Sequence, residues 1–172
     1  MTKRINKVIE LLEHNQPVYY TVAPDVSYEG GKALAKTFAD YIQVSMEHNI
    51  YDMNALGAFM QGLVDGGPTK SGHRTPTVIA VLPLGGINET VMWSNYWMVE
   101  QVLGSGVHSV LLAHARSPEV VKVLVQAARY PHAPETEGIS VRVSEVAAAR
   151  GSPPGSGASP NRSISVSLIP GR

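Results

Sequence analysis

The feature that most constrains the fold is an alternation of two periods along the first three quarters of the chain. Short runs rich in β-branched and aromatic residues (17–22, 40–45, 77–83 and 107–112) are each followed by a segment whose apolar residues recur at three- and four-residue spacing. Strands alternating with helices of ~10–15 residues build βαβ units, and βαβ units build a parallel sheet. The third run, Thr-Val-Ile-Ala-Val-Leu-Pro ending at Pro83, is continuously apolar, as a strand buried on both faces must be.

The helical segments carry their own punctuation. Residues 4–14 place Ile5, Val8, Ile9, Leu11 and Leu12 at helical spacing, and Asn15-Gln16-Pro17 stops them. Ser27 is placed to cap a helix with Tyr28, Leu34, Ala35 and Phe38 on one face. Met53, Leu56, Phe59, Met60 and Leu63 mark the next helix, which Gly66-Gly67-Pro68 ends. Residues 89–103 form the third crossover, and Ser117 with Pro118 opens a last helix running to about Arg129. The fold class is therefore α/β with about four βα units and a parallel sheet. Residues 1–134 read as the folded domain. Residues 135–172 are rich in Gly, Ser and Pro with no sustained period, and read as a linker or tail.

Composition narrows the function by exclusion. The 172 residues include no cysteine, so thiolate metal sites, Fe–S clusters, disulfides and thiol catalysis are out. Fourteen basic residues balance fourteen acidic ones, so no whole-chain field exists to hold nucleic acid or an anionic membrane. The first residues are polar every few positions and no long apolar run follows, which points to a cytoplasmic chain.

In parallel α/β folds the reactive groups sit at the carboxyl ends of strands. There the chain places Glu47, His48 and Asp52, just past the second strand. An imidazole near neutral pKa beside carboxylates suits general-base work, while the same residues also suit a plain surface loop. His114 and Arg116 follow the fourth strand and either share the mouth with His48 or serve their own loop. No histidine pair has HExxH spacing, so no metal site is visible. The pairs Gly66-Gly67 and Gly85-Gly86 fit no phosphate-loop pattern and read as turns. Trp93, Tyr96 and Trp97 fall on a crossover helix without basic neighbours, which suits a core or subunit contact over a stacking platform for bases.

The run ADYIQVSMEHNIYDMNALGAFMQGL resembles the second-strand segment of the HpcH/HpaI aldolase and citrate lyase family, of the form D-x-x-x-x-D-x-E-H-G-x-x-D. The stretch ending in Ala-Arg-Tyr-Pro at Pro131 is similar to its third and fourth βα units. The resemblance implies a (β/α)8 barrel, a divalent metal (Mg, Mn or Co) and cleavage of 4-hydroxy-2-oxo acids to pyruvate or a related oxo acid plus an aldehyde. It makes His48 the catalytic base and Glu47 the adjacent acid, with a small-molecule oxo acid as the partner. Ser45 stands where the family usually has an Asp, Asn49 where it has Gly, and Ala80 where it commonly has an Arg that holds the pyruvate oxygens.

A complete barrel takes ~250 residues, so the resemblance implies a partial TIM barrel. The family's metal-binding Glu and Asp lie on later strands, and no bound metal is expected here. An open sheet exposes its edges and requires a partner, most simply a homo-oligomer. In the neighbouring reading frame, the codons for residues 140–159 can encode Gly-rich, Trp-containing sequence like that following Ala-Arg-Tyr-Pro in full-length relatives. The tail is accordingly expected to be out of frame. The alternative is a complete small α/β module with a binding or assembly role and no catalysis.

Overall fold

The computed structural model describes residues 4–129, together with two short strands at 142–146 and 163–167. The order is α1 (Lys7–Glu13), β1 (Tyr20–Val22), α2 (Tyr28–Leu34), β2 (Tyr41–Ser45), α3 (Met53–Asp65), β3 (Thr77–Val81), α4 (Glu89–Gly104), β4 (Ser109–Leu111) and α5 (Pro118–Ala127). Strands β1 to β4 form one sheet in sequential order, all parallel. The expected α/β fold with four βα units is what the chain adopts.

Local chemistry explains the helix starts. Asn6, Ser27, Asp52 and Asn88 are extended N-cap residues whose side chains accept from backbone N–H groups that no helical carbonyl can reach. Ser117 and Pro118 occupy the N-cap and first position of α5, although the Ser117 side chain makes no cap bond.

The core lies between the sheet and helices α2 to α5. Ile42, Val44, Met46, Val78, Ala80, Leu82, Val110 and Leu112 alternate onto that side with Leu56, Phe59, Leu63, Val99, Val102 and Leu124. The opposite side of β1 and β2 is open: Tyr20 and Val22 are about half exposed, and Tyr20 stacks on Tyr41 with ring centroids 5.1 Å apart. Helices α2 and α3 cross where neither has a side chain. A Cβ on Gly31 would lie 2.1 Å from the Phe59 carbonyl oxygen, and one on Gly62 would lie 2.0 Å from that of Tyr28.

Three expectations need correction. Helix α2 ends at Leu34, so Phe38 does not share its face and is 81% exposed. The chain instead tightens through Thr37 N–H to the Leu34 carbonyl so that Asp40 can meet β1 at Tyr19. The first strand is half the expected length, and β4 spans three residues. Within the stretch read as a linker or tail, β5 (Arg142–Val146) and β6 (Ser163–Ser167) pair antiparallel. The rest of residues 130–172, with Tyr130, His132 and the out-of-frame reading, lies outside the described residues.

Candidate active site

Strand alternation places the site. The side chains of Ile42, Val44 and Met46 turn to the helices, so Tyr41, Gln43, Ser45 and Glu47 take the open side. Pairing continues one residue past β2, with Met46 N–H donating to the Val81 carbonyl at 3.0 Å. Glu47 is thus fixed at the carboxyl end of the sheet, with its side chain 21% exposed. His48 leaves the strand beside it, with Nε2 3.6 Å from Glu47 Oε2. Asn49 stays close by donating to the Ser45 carbonyl at 3.2 Å. The expected strand-end position of His48 beside Glu47 is what the structure has.

The second half of the cluster comes from β4. His114 Nε2 lies 2.9 Å from Glu47 Oε1, closer than His48 comes to the same carboxylate. His114 holds a left-handed backbone conformation, φ 56°, a region that favours glycine, which makes its position a built one. The loop is clamped to the one after β3: Gly86 N–H donates to the Ala113 carbonyl and Arg116 N–H to the Gly86 carbonyl, both at 3.0 Å. A Cβ on Gly86 would sit 2.7 Å from Ala115 Cα, so this approach requires a glycine. The Gly85-Gly86 pair is turn chemistry, as read from sequence.

Other candidates fall elsewhere. Asp52 is absorbed as the N-cap of α3, accepting from Asn54 and Ala55 N–H at 2.9 Å each. Ala80 is fully buried on the helix side of β3, paired in register with Val44, so a side chain there cannot reach the mouth. The residue level with Ser45 on β3 is Val81, also apolar. Residues 75–115 contain no Lys or Arg, and Arg116 is the basic residue nearest in sequence to His114. Trp93, Tyr96 and Trp97 lie exposed on α4, with Tyr51 edge-on to Trp97 at 6.3 Å.

The remaining described histidines belong to α1 and to the amino end of the sheet. His14 Nδ1 sits 2.7 Å from the Glu10 carbonyl. His73 Nε2 lies 3.3 Å from Glu10 Oε2. His108 Nδ1 accepts the Val78 N–H at 3.0 Å. Burial, and then the nearby His73, hold the His108 pKa below the ordinary histidine value. A cavity of about 410 Å³ opens at that same end between Lys7, Asp40, Thr69 and Lys70, away from the strand-end cluster.

Among the described residues no three His, Asp or Glu side chains converge to hold a metal ion, so they do not fit the divalent ion the family resemblance implies. No described helix is long and apolar enough to cross a membrane. Neither a sequence family nor a curated protein matches the chain. Among solved structures, an HpcH/HpaI aldolase/citrate lyase family protein from Burkholderia cenocepacia J2315 matches with a TM-score of 0.60 at 18% identity. The match covers 78% of this chain and 48% of that one, so the chain spans about half the length of the structure it resembles.

Proposed function

We propose that the chain is half of an HpcH/HpaI-type barrel whose strand-end cluster serves carbon–carbon lyase chemistry on a 4-hydroxy-2-oxo acid. The observation that carries the reading is the pairing of His48 with Glu47 at the carboxyl end of β2, in a fold shared with that family. In the cleavage direction His48 takes the proton of the C4 hydroxyl as the C3–C4 bond breaks, leaving an aldehyde and the enolate of pyruvate or a related oxo acid. Glu47 supports the imidazolium that forms. The exposed His48 can meet a small-molecule substrate from solvent, and neither nucleic acid nor membrane is a partner in this reading.

Two features limit the rate. Val81 supplies no charge-assisted donor to the enolate oxygens, a loss worth ~10²–10³. The ligands for the family's Mg, Mn or Co ion find no counterpart among the described residues, and no step here is assigned to the ion. The folded unit in this reading is residues 1–134, cytoplasmic and assembled as a homo-oligomer through its open sheet.

The test is exchange of the pyruvate methyl protons in D2O, followed by NMR with and without added Mg²⁺, Mn²⁺ or Co²⁺. The full chain exchanges faster than buffer, and His48→Gln loses that gain by ~10²-fold or more. Equal rates for the two proteins overturn the assignment of His48. A second reading, a non-catalytic binding or assembly module, is favoured by Val81 and by the exposed Trp93, Tyr96 and Trp97. It holds if the chain gives no exchange above buffer.

A further inference from the structure

We infer that the cavity at the amino end of the sheet binds a small organic anion with a planar apolar part, its charge held by Lys7 and Lys70 and its ring laid on Phe38. The site is at the far end of the sheet from Glu47 and His48, and it stands whether or not the lyase reading does. Its volume, about 410 Å³, falls within the ~300–1,000 Å³ of small-molecule pockets. Three separate elements wall it. Helix α1 gives Lys7, the link from α2 to β2 gives Phe38 and Asp40, and the link from α3 to β3 gives Thr69 and Lys70.

The charge balance selects an anion. Two ammonium groups and one carboxylate line the cavity. The carboxylate is already committed: Asp40 Oδ1 takes Lys7 Nζ, Oδ2 accepts the Tyr19 N–H at 2.8 Å, and the side chain is 8% exposed. Lys7 uses one N–H on that bond and has two more, on a side chain 31% exposed. Lys70 adds a positive charge that this pair does not cancel. An ammonium is a compact point charge on a flexible stem, able to meet a carboxylate or a phosphate from several directions.

The polar wall is formed before any ligand arrives. Across the turn at 69–73, Thr69 N–H donates to the His73 carbonyl at 2.9 Å and His73 N–H donates to Thr69 Oγ1 at 3.0 Å. Gly72, with φ 76°, donates its N–H to the Thr69 carbonyl at 2.9 Å. Lys36 Nζ, just past α2, donates to the Pro68 carbonyl and ties the two links together. A loop braced in this way loses little freedom on binding, and Lys70 is carried on it. The apolar wall is Phe38, 81% exposed. The chain leaves α2 at Leu34 and tightens toward β2, which brings this ring to the cavity instead of the core. It offers a planar ligand an aromatic face beside the two charges.

The experiment follows ¹H–¹⁵N spectra of the full chain during titration with phenyl phosphate and, separately, benzoate. A ring-bearing anion saturates the amide shifts at Ala39, Asp40 and residues 69–75, with a midpoint in the mM range that a ligand of this size reaches. The tighter of the two identifies the charge as phosphate or carboxylate. Inorganic phosphate, with charge and no ring, and benzyl alcohol, with a ring and no charge, bind more weakly. Lys70→Glu weakens phenyl phosphate roughly fivefold or more, and Lys70→Arg restores it. Phe38→Ser weakens phenyl phosphate and leaves inorganic phosphate unchanged. Both side chains are exposed, so neither substitution disturbs the core.

No saturable shift at these amides up to about 20 mM of either ring-bearing anion overturns the proposal. Binding that Lys70→Glu leaves unchanged overturns it as well. Inorganic phosphate that binds as tightly as phenyl phosphate overturns the part given to Phe38, and benzyl alcohol that does so overturns the part given to the lysines.

Discussion

A buried ring nitrogen that accepts a hydrogen bond must stay unprotonated to do so, and His108 is such a ring. Its Nδ1 takes the Val78 N–H, and burial with the nearby His73 lowers its pKa. The sign follows from linkage. The folded pKa is depressed, so the unfolded chain takes up the proton first, and stability is full above the unfolded value near ~6.5 and falls as pH drops through the folded value. Denaturant melts between about pH 7.5 and 5 should show this loss, and His108→Asn, which offers an amide oxygen to Val78, should flatten it. A slope unchanged in the variant would rule His108 out as the cause. Sequence alone located Glu47 and His48, because an apolar alternating run ends just before them. It left open whether His114 joins them, since that contact depends on the register of three parallel strands. The resemblance sets Ala80 at the family's Arg position, and the fold buries Ala80 on the helix side of β3, level with Val44; a strand this apolar carries no period of two from which sequence could tell its two faces apart.

At the scale of elements, glycine does opposite things within one helix. Gly62 lets α3 meet the α2 backbone, and a Cβ there would collide with the Tyr28 carbonyl; Gly57, in the same helix, has nothing within 4 Å of where its Cβ would go. Gly62→Ala should therefore cost ~1–3 kcal/mol or more through overpacking. Gly57→Ala should gain ~0.5–1 kcal/mol by restricting the unfolded chain and favouring helix. Paired urea melts decide it, and equal effects of the two substitutions would refute the crossing. The helices were legible in sequence because apolar spacing agrees with the cap positions at Ser27 and Ser117; the caps at Asp52 and Asn88 emerge only in the structure. Phe38 was misread because its spacing continues a period that the backbone abandons at Leu34, where the need to enter β2 outweighs one more helical turn.

For the whole molecule, the open face of β1 and β2 is the feature with the widest effect. Tyr20 and Val22 present apolar surface beside an unpaired strand edge, an arrangement that favours pairing with another chain. The mass measured by light scattering should rise with concentration, and Val22→Lys should shift it toward the monomer without lowering the melting temperature. A monomer at all concentrations would leave assembly to other surfaces. The sheet order β1-β2-β3-β4 has a separate meaning for how the chain is made. Each strand's neighbour in space is its neighbour in sequence, so during synthesis every unit can dock on the one just completed, and no strand waits for a distant partner. Growth is vectorial, with β4 as its leading edge, and Glu47 meets His114 only when that edge arrives, so the site is the last part of the sheet to be assembled.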